Sequence, residues 1–550
     1  MMKTFTAAGM LCLAAVTLWA QSTAVVPTPD QLLRGSNSPQ RSCYDVYSYF
    51  LNLFIDVERR ALIGSNTITY DALSDFDTLQ LDLFSNLTLD SIIAAGQRLT
   101  YRRLHNSVFV AFPRTVRAGL RDSLTVFYRG SPLAARKPPW QGGFVWKKDA
   151  QGRPWVGVAC QGLGASVWFP CKDQLADEPT KVWLRCTADA SLTCVSNGRL
   201  LHRKTSGQLT SWLWHVSYPI NIYNITLNLA HYAHFSDRMI FHPDTLTLDY
   251  YVLDYNLVVA QSHLQQSRTL LTCFSERFGP YPFLRDGFKL VETPYWGMEH
   301  QSAISYGNDF INNKWGFDFI LVHETAHEWW GNHFSASDYA DLWLHEGFGT
   351  YAETVYLECC CGDSLAREYL SEQMLQIRNQ APLVGPRGVN HHFSDNDIYY
   401  KGAWVIHTFR NALNNDSLFF ALLKGLQQTF GQRTLLTEDF ISYINAHTGA
   451  DWTPFFRQYL FASQPPTLVY RIHKKGKGTR LSLRWEGVEA GFSLPVAVAD
   501  SYRLTQGVVR RTYRRLPVTT EWSTWLLPDI KPAAFRIERT GYFFIEKREK

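Results

Sequence analysis

Long apolar runs are what this sequence has least of. After the first twenty residues every apolar stretch, such as Phe317 to Val322, is broken by charge well before the 18 residues a membrane span needs, which excludes a later transmembrane helix. Internal repeats and low-complexity linkers are missing. Gly (35) and Pro (24) stay within the ordinary globular range, so disordered and collagen-like readings fall away. Charge of one sign is scarce too: the net charge of +5 neither requires nor excludes an acidic partner, and it gives nucleic acid little support. Ten cysteines in 550 residues, irregularly spaced, match no compact disulfide framework.

What is present is length, enough for about three to four domains with a sizeable core. The opening MMKTFTAAGMLCLAAVTLWA sets a lysine before an apolar run and a small residue, Ala20, before Gln21. It is expected to be a cleaved secretory signal over residues 1–20, with the mature chain exported to the periplasm or outside of a bacterial cell. Cys12 lacks the small residue expected before a lipidated cysteine. Cleavage leaves nine cysteines, an odd number, in a compartment that permits disulfides. The run Cys359, Cys360, Cys361 reads as a packed or partly oxidised cluster, because consecutive helical side chains diverge by about 100° and cannot share a metal.

Residues 41–246 alternate with a period of two, as in Tyr49 to Val57, Thr78 to Phe84, Ser123 to Tyr128 and Lys181 to Cys186, and predict an N-terminal β domain. Near Thr247 the texture becomes helical. Helices are expected over Tyr255–Phe278, Phe319–Asn332, Leu342–Cys359, Ser364–Ile377, Gly402–Leu413, Leu418–Phe430 and Phe440–His447, within a domain spanning 247–464. After Pro465 and Pro466 the segments LVYRI, RLSLRW, AFRIERT and YFFIEKR predict a small C-terminal β domain over 465–550. The fold class is therefore multidomain α+β.

The strongest chemical signal is VHETAHEWWGN, residues 322–332. His323 and His327, four apart, share one helical face at a spacing one zinc ion can bridge, and Glu324 lies where a carboxylate takes a proton from water. Glu346, nineteen positions after His327, falls on the next predicted helix, whose antiparallel return brings it to the same ion. Two histidines, one carboxylate and an open fourth position make a catalytic rather than a structural zinc arrangement, with one Zn2+ as cofactor. A helix whose His and Glu make only surface contacts is the plain alternative. His333 and His345 are expected to pack nearby rather than to ligate.

These residues, with Trp330, Gly331, Asn332 and the surrounding LWLHEGF, resemble the zinc aminopeptidases that include aminopeptidase N and leukotriene hydrolase, the gluzincin metallopeptidases. The resemblance spans residues 41 to about 460 and is weak beyond. It implies a thermolysin-like, mainly helical catalytic domain and hydrolysis of the N-terminal bond of peptides with a free amine, releasing single amino acids. YWGMEHQSAISYG, residues 295–307, is similar to the family's exopeptidase motif. Through it Glu299 takes the role of binding the substrate amine, and Gly297 and Met298 line the pocket. The common Gly-Ala-Met-Glu-Asn reads Trp296, Gly297, Met298, Glu299, His300 here, so the pocket departs at three positions. Gln161, nine residues before Pro170 in a segment that keeps Asp173, takes the second amine-binding role. Tyr399, two residues before Lys401-Gly402, takes that of oxyanion donor, with Tyr400 as alternative.

Many relatives add a helical cap, whereas only about 85 residues, read as strands, follow Pro465; a more open site is expected. The family default is a monomer. The competing readings are an endopeptidase, a lipid epoxide hydrolase and a non-catalytic peptide-binding module. Glu299 argues against the first, and the presence of Glu324 and all three ligands against the last.

Overall fold

The computed structural model describes residues 26–241, 243–390, 395–505 and 508–549. The expected leader over residues 1–20 lies outside them. Two short helices, α1 (Pro29–Gly35) and α2 (Pro39–Ser42), precede an eight-stranded sheet flanked by three- and four-stranded sheets. The alternation seen in the sequence is realised in the strand Tyr44–Asp56: Tyr49, Leu51, Leu53 and Ile55 are buried while Asn52 and Phe54 face outward.

A second, five-stranded sheet runs in the order Tyr232–Phe241, Asp244–Leu253, Phe288–Glu292, Ile304–Tyr306, Gly297–Met298. The textural change near Thr247 therefore falls inside a strand. Gly297–Met298 is an edge strand, with one side paired to residues 305–306 and the other unpaired within the sheet. Helices α3 (Leu257–His263), α4 (Gln266–Phe278), α5 (Phe319–Ala326), α6 (Trp343–Cys361), α7 (Asp363–Met374), α8 (Asp397–Leu413), α9 (Asp416–Phe430), α10 (Thr437–Thr448) and α11 (Thr453–Leu460) follow. Among the described residues no helix is long and apolar enough to cross a membrane. The C-terminal strands form a four-stranded sheet and a two-stranded ribbon. Their inner faces share one apolar core with the helices, through Trp404, Tyr459, Trp485, Phe492 and Phe543.

Several elements differ from expectation. The helix expected over Tyr255–Phe278 is broken between α3 and α4, where the buried Ser267 hydroxyl donates to the Leu264 carbonyl at 2.6 Å and competes with the helical ladder. The helix expected over Phe319–Asn332 stops at Ala326, and the chain turns through Gly331, whose φ of +122° is open to glycine. AFRIERT is not a strand: a single-turn helix over Pro532–Ala534 ends on its first residue, and the segment makes one isolated bridge from Ile537 to Val498. Of the three consecutive cysteines that end α6, Cys359 is bonded to Cys273 of α4, while Cys360 and Cys361 are exposed.

One close approach places the site. A Cβ on Gly347 of α6 would lie 3.0 Å from the Gly402 Cα, and one on Gly402 of α8 would lie 2.8 Å from the Gly347 Cα. The two helices thus touch backbone to backbone, with Glu346 and Tyr399 flanking the contact. Gly402→Ala is expected to cost about 1–3 kcal/mol of stability by overpacking, read as a lowered midpoint in chemical unfolding. An unchanged midpoint would mean that the helices separate freely.

Candidate functional site

Helix α5 begins at Asp318, whose side chain accepts from the Leu321 N–H at 3.2 Å and also from Tyr306 Oη at 2.6 Å. This anchored cap sets the direction in which the two histidines project. His323 lies in the last turn, and His327, the C-cap residue, keeps helical dihedrals (φ −64°, ψ −17°), so the i, i+4 alignment survives the early end of the helix. Each ring is oriented by its outer nitrogen. His323 Nδ1–H donates to Glu353 Oε1 at 2.7 Å and His327 Nδ1–H donates to the Trp330 carbonyl at 2.8 Å. With both Nδ1 atoms protonated, both Nε2 atoms turn lone pairs inward.

Those two Nε2 atoms are 3.2 Å apart, and Glu346 Oε2 lies 3.5 Å and 3.4 Å from them. The separations match the edge of a tetrahedron with arms of about 2.1 Å, which is about 3.4 Å. Glu346 Oε2 is buried and has no hydrogen-bond partner. Three lone-pair-bearing atoms face one another with no proton between them, which is repulsive unless a cation occupies the centre. The donor set of two imidazoles and one carboxylate suits zinc and leaves a coordination position open. Gly349 completes the fit, since a Cβ there would come within 2.9 Å of the His327 ring.

The remaining expected residues converge on the same cleft, a cavity of about 120 Å³ lined by Gln161, Gly297, Met298, Glu299, Glu324, Tyr399 and Tyr400 among others. Glu324 packs over Gly297, where a Cβ would collide with its carboxylate, and burial pushes that carboxyl up to about 8. The Tyr399 ring stacks on His323 at 5.9 Å; burial and the carboxylates of Glu346, Glu299 and Glu324 hold its phenol well above the usual range, so it stays a donor at neutral pH. Tyr400 lines the cleft without that stacking.

Gln161 comes from the N-terminal region and donates through Nε2 to Glu299 Oε1 at 2.9 Å and to Glu346 Oε1 at 2.8 Å. Its loop is held by the buried Asp173, which accepts from the Ala165 and Ser166 N–H groups at 3.2 and 3.1 Å, and by Arg34 of α1, which donates to the Leu163 carbonyl at 2.6 Å. Glu299 is 3% exposed. Tyr223 Oη donates to its Oε1 at 2.8 Å, and His345 backs Tyr223 at 3.3 Å while its Nε2 accepts from the Ala336 N–H at 2.8 Å. Burial holds His345 down to about 3, so the ring is neutral, and burial raises the Glu299 carboxyl. No Lys or Arg among the described residues pairs with Glu299.

The sequence reading places His333 and His345 off the metal, and the structure does likewise: His333 Nδ1 meets Gln427 Oε1 at 2.8 Å. It misses Glu353, Tyr223 and Trp140. Glu353 was within reach of pattern reasoning, because it follows Glu346 by seven residues and so returns to the same face of α6 after two turns. Glu353→Gln is expected to weaken zinc about 10- to 100-fold through the lost orientation of His323, measured by competition with a chromogenic chelator; equal affinity would remove Glu353 from the metal site.

Comparison with known proteins agrees with this geometry. The family model of the peptidase family M1 domain matches residues 311–459. Aminopeptidase B of Rattus norvegicus is 23% identical over 361 residues, covering 61% of this chain and 52% of that protein. Endoplasmic reticulum aminopeptidase 1 of Homo sapiens is 20% identical over 429 residues, covering 73% and 45%. The chain thus spans about half the length of these curated relatives. The solved M1 zinc metallopeptidase from Deinococcus radiodurans superposes with a TM-score of 0.66 at 22% identity, covering 76% of this chain and 94% of that one. Together with the motif and its metal-binding geometry, these matches show that residues 311–459 are similar to the peptidase family M1 domain and that the chain shares the fold of the M1 zinc metallopeptidase.

Proposed function

We propose that the chain is a zinc-dependent aminopeptidase, hydrolysing the first peptide bond of peptides with a free N-terminus and releasing single amino acids. The observation that carries this reading is Glu299: a buried carboxylate beside the metal triad, held by Gln161 and Tyr223, with no protein cation to pair with it. An unpaired buried charge is costly, and a substrate ammonium is the partner this end of the cleft lacks. An endopeptidase would have no use for such a group at a closed end.

One zinc ion on His323, His327 and Glu346 would supply the Lewis acid for the scissile carbonyl and the attacking water. Glu324 takes the proton of that water and later delivers it to the leaving nitrogen. The neutral phenol of Tyr399 donates to the oxygen on which negative charge develops. Glu299 and Gln161 fix the amine, which sets the distance from the chain end to the cleaved bond at one residue. The unpaired side of the edge strand Gly297–Met298 offers backbone groups to the substrate chain. The relatives agree: aminopeptidase B and endoplasmic reticulum aminopeptidase 1 are aminopeptidases by name, a glutamate-to-alanine mutant of the Deinococcus radiodurans M1 zinc metallopeptidase has been solved with a Tyr-Ser-Ala substrate, and such a mutant of a two-domain M1 zinc metallopeptidase with L-arginine and with L-tryptophan.

Glu324→Gln is expected to keep its zinc and lose about 10²–10⁴-fold in kcat, with metal content and turnover measured on the same preparation. Wild-type turnover in the zinc-loaded variant would end the base assignment. Glu299→Ala is expected to lose roughly a hundredfold or more in kcat/KM on free-amine peptides. An unchanged value there would remove the amine-anchoring role and the exopeptidase reading with it.

A further inference from the structure

The cleft has two unlike ends. At one, Glu299, Tyr223 and His345 are at most 3% exposed and Gln161 closes the space between Glu299 and Glu346. At the other stand Trp140 and Trp296, 44% and 43% exposed. From that mouth an aromatic row leads to the metal triad: Trp140 to Trp296 at 6.0 Å, Trp296 to Phe319 at 5.5 Å, and Phe319 stacked on His323 at 5.6 Å. Gln161 and Glu299 thus reach the triad from Glu346, and the aromatic row reaches it from His323.

Resting on the aminopeptidase reading, this polarity fixes the direction of the substrate. The first residue, held by its amine, fills the closed end; the scissile bond lies at the triad; the second residue leaves through the mouth. We infer that Trp296 and Trp140 are specificity-determining residues for the leaving side of the bond, selecting peptides whose second residue is aromatic or large and apolar.

The chemistry of the mouth supports that class. The Trp296 indole is fixed, its Nε1–H donating to Asn308 Oδ1 at 3.0 Å, while Asn308 Nδ2 donates to Asp318 Oδ1, the cap of α5, at 2.9 Å. A rigid indole offers a contact face at little entropic cost. The Lys137 ammonium lies 5.4 Å from the Trp140 ring, which disfavours a cationic second residue. The carboxylate of Glu353, which also lines the cleft, is already engaged by His323, Tyr369 and Gln373.

The test uses the zinc-loaded full-length enzyme and the dipeptides Leu-Phe, Leu-Gly and Leu-Lys, which share a first residue. The wild type is expected to favour Leu-Phe over Leu-Gly and Leu-Lys by about tenfold or more in kcat/KM. Trp296→Ala and Trp140→Ala should each shrink that ratio several-fold, while Trp296→Phe, which retains an aromatic face, keeps most of it. Zinc content and thermal midpoint report folding for each variant. A wild-type enzyme indifferent to the second residue, or alanine variants with the wild-type ratio, overturns the inference while leaving the aminopeptidase reading in place. A wild-type enzyme that cleaves none of the three overturns both.

Discussion

Everything at the site depends on how closely α6 and α8 approach. Glycine at 347 and at 402 removes side-chain atoms that would hold the two backbones apart. Glu346, next to Gly347, is thereby turned toward the histidines of α5, and Tyr399, three residues before Gly402, is brought over His323. Glycine weakens a helix interior by roughly 0.5–1 kcal/mol relative to alanine. Here two of them sit inside long helices because a catalytic geometry needs backbone contact that no larger residue allows.

The second constraint is electrostatic. The cleft gathers Glu299, Glu324, Glu346 and Glu353 in an interior where isolated carboxylates are strongly disfavoured. Each has a distinct answer to that cost. Glu353 is neutralised in effect by three donors, from His323, Tyr369 and Gln373. Glu346 shares one oxygen with Gln161 and leaves the other facing two imidazole lone pairs, where a divalent cation belongs. At Glu324 burial and the charges of Glu299 and Glu346 raise the carboxyl, against the lowering effect of His323 and His327. Glu299 keeps two neutral donors and lacks a cation. Metal and substrate ammonium are the two positive charges that would complete the set, and they fall on adjacent carboxylates because Gln161 bridges Glu299 and Glu346.

Local patterns make the metal site legible in the sequence. The spacing of His323 and His327 is a helical turn, and Glu346 falls on the following helix whatever the exact path between them. Strand alternation in the N-terminal region is equally local, as Tyr49, Leu51, Leu53 and Ile55 illustrate. What escapes is whatever depends on distant partners. Tyr223 and His345 meet across 122 positions, and the Cys273–Cys359 bond spans 86; no periodicity marks either. The early end of α5 escapes for another reason, because a glycine with positive φ and a turn closed by His327 override the helical spacing of the preceding residues. AFRIERT alternates like a strand, yet Pro532 and the short helix it starts take the segment out of the sheet.

A free substrate amine and a metal ion are proposed to act at one cleft. This is tested most directly by offering the zinc-loaded protein a series of aminoacyl reporter amides and their N-acetylated counterparts, with and without a chelator. Only the unblocked amides are expected to release the reporter, and the chelator is expected to abolish the release. Equal cleavage of blocked and unblocked substrates would contradict the proposal, because Glu299 would then bind nothing that the reaction requires.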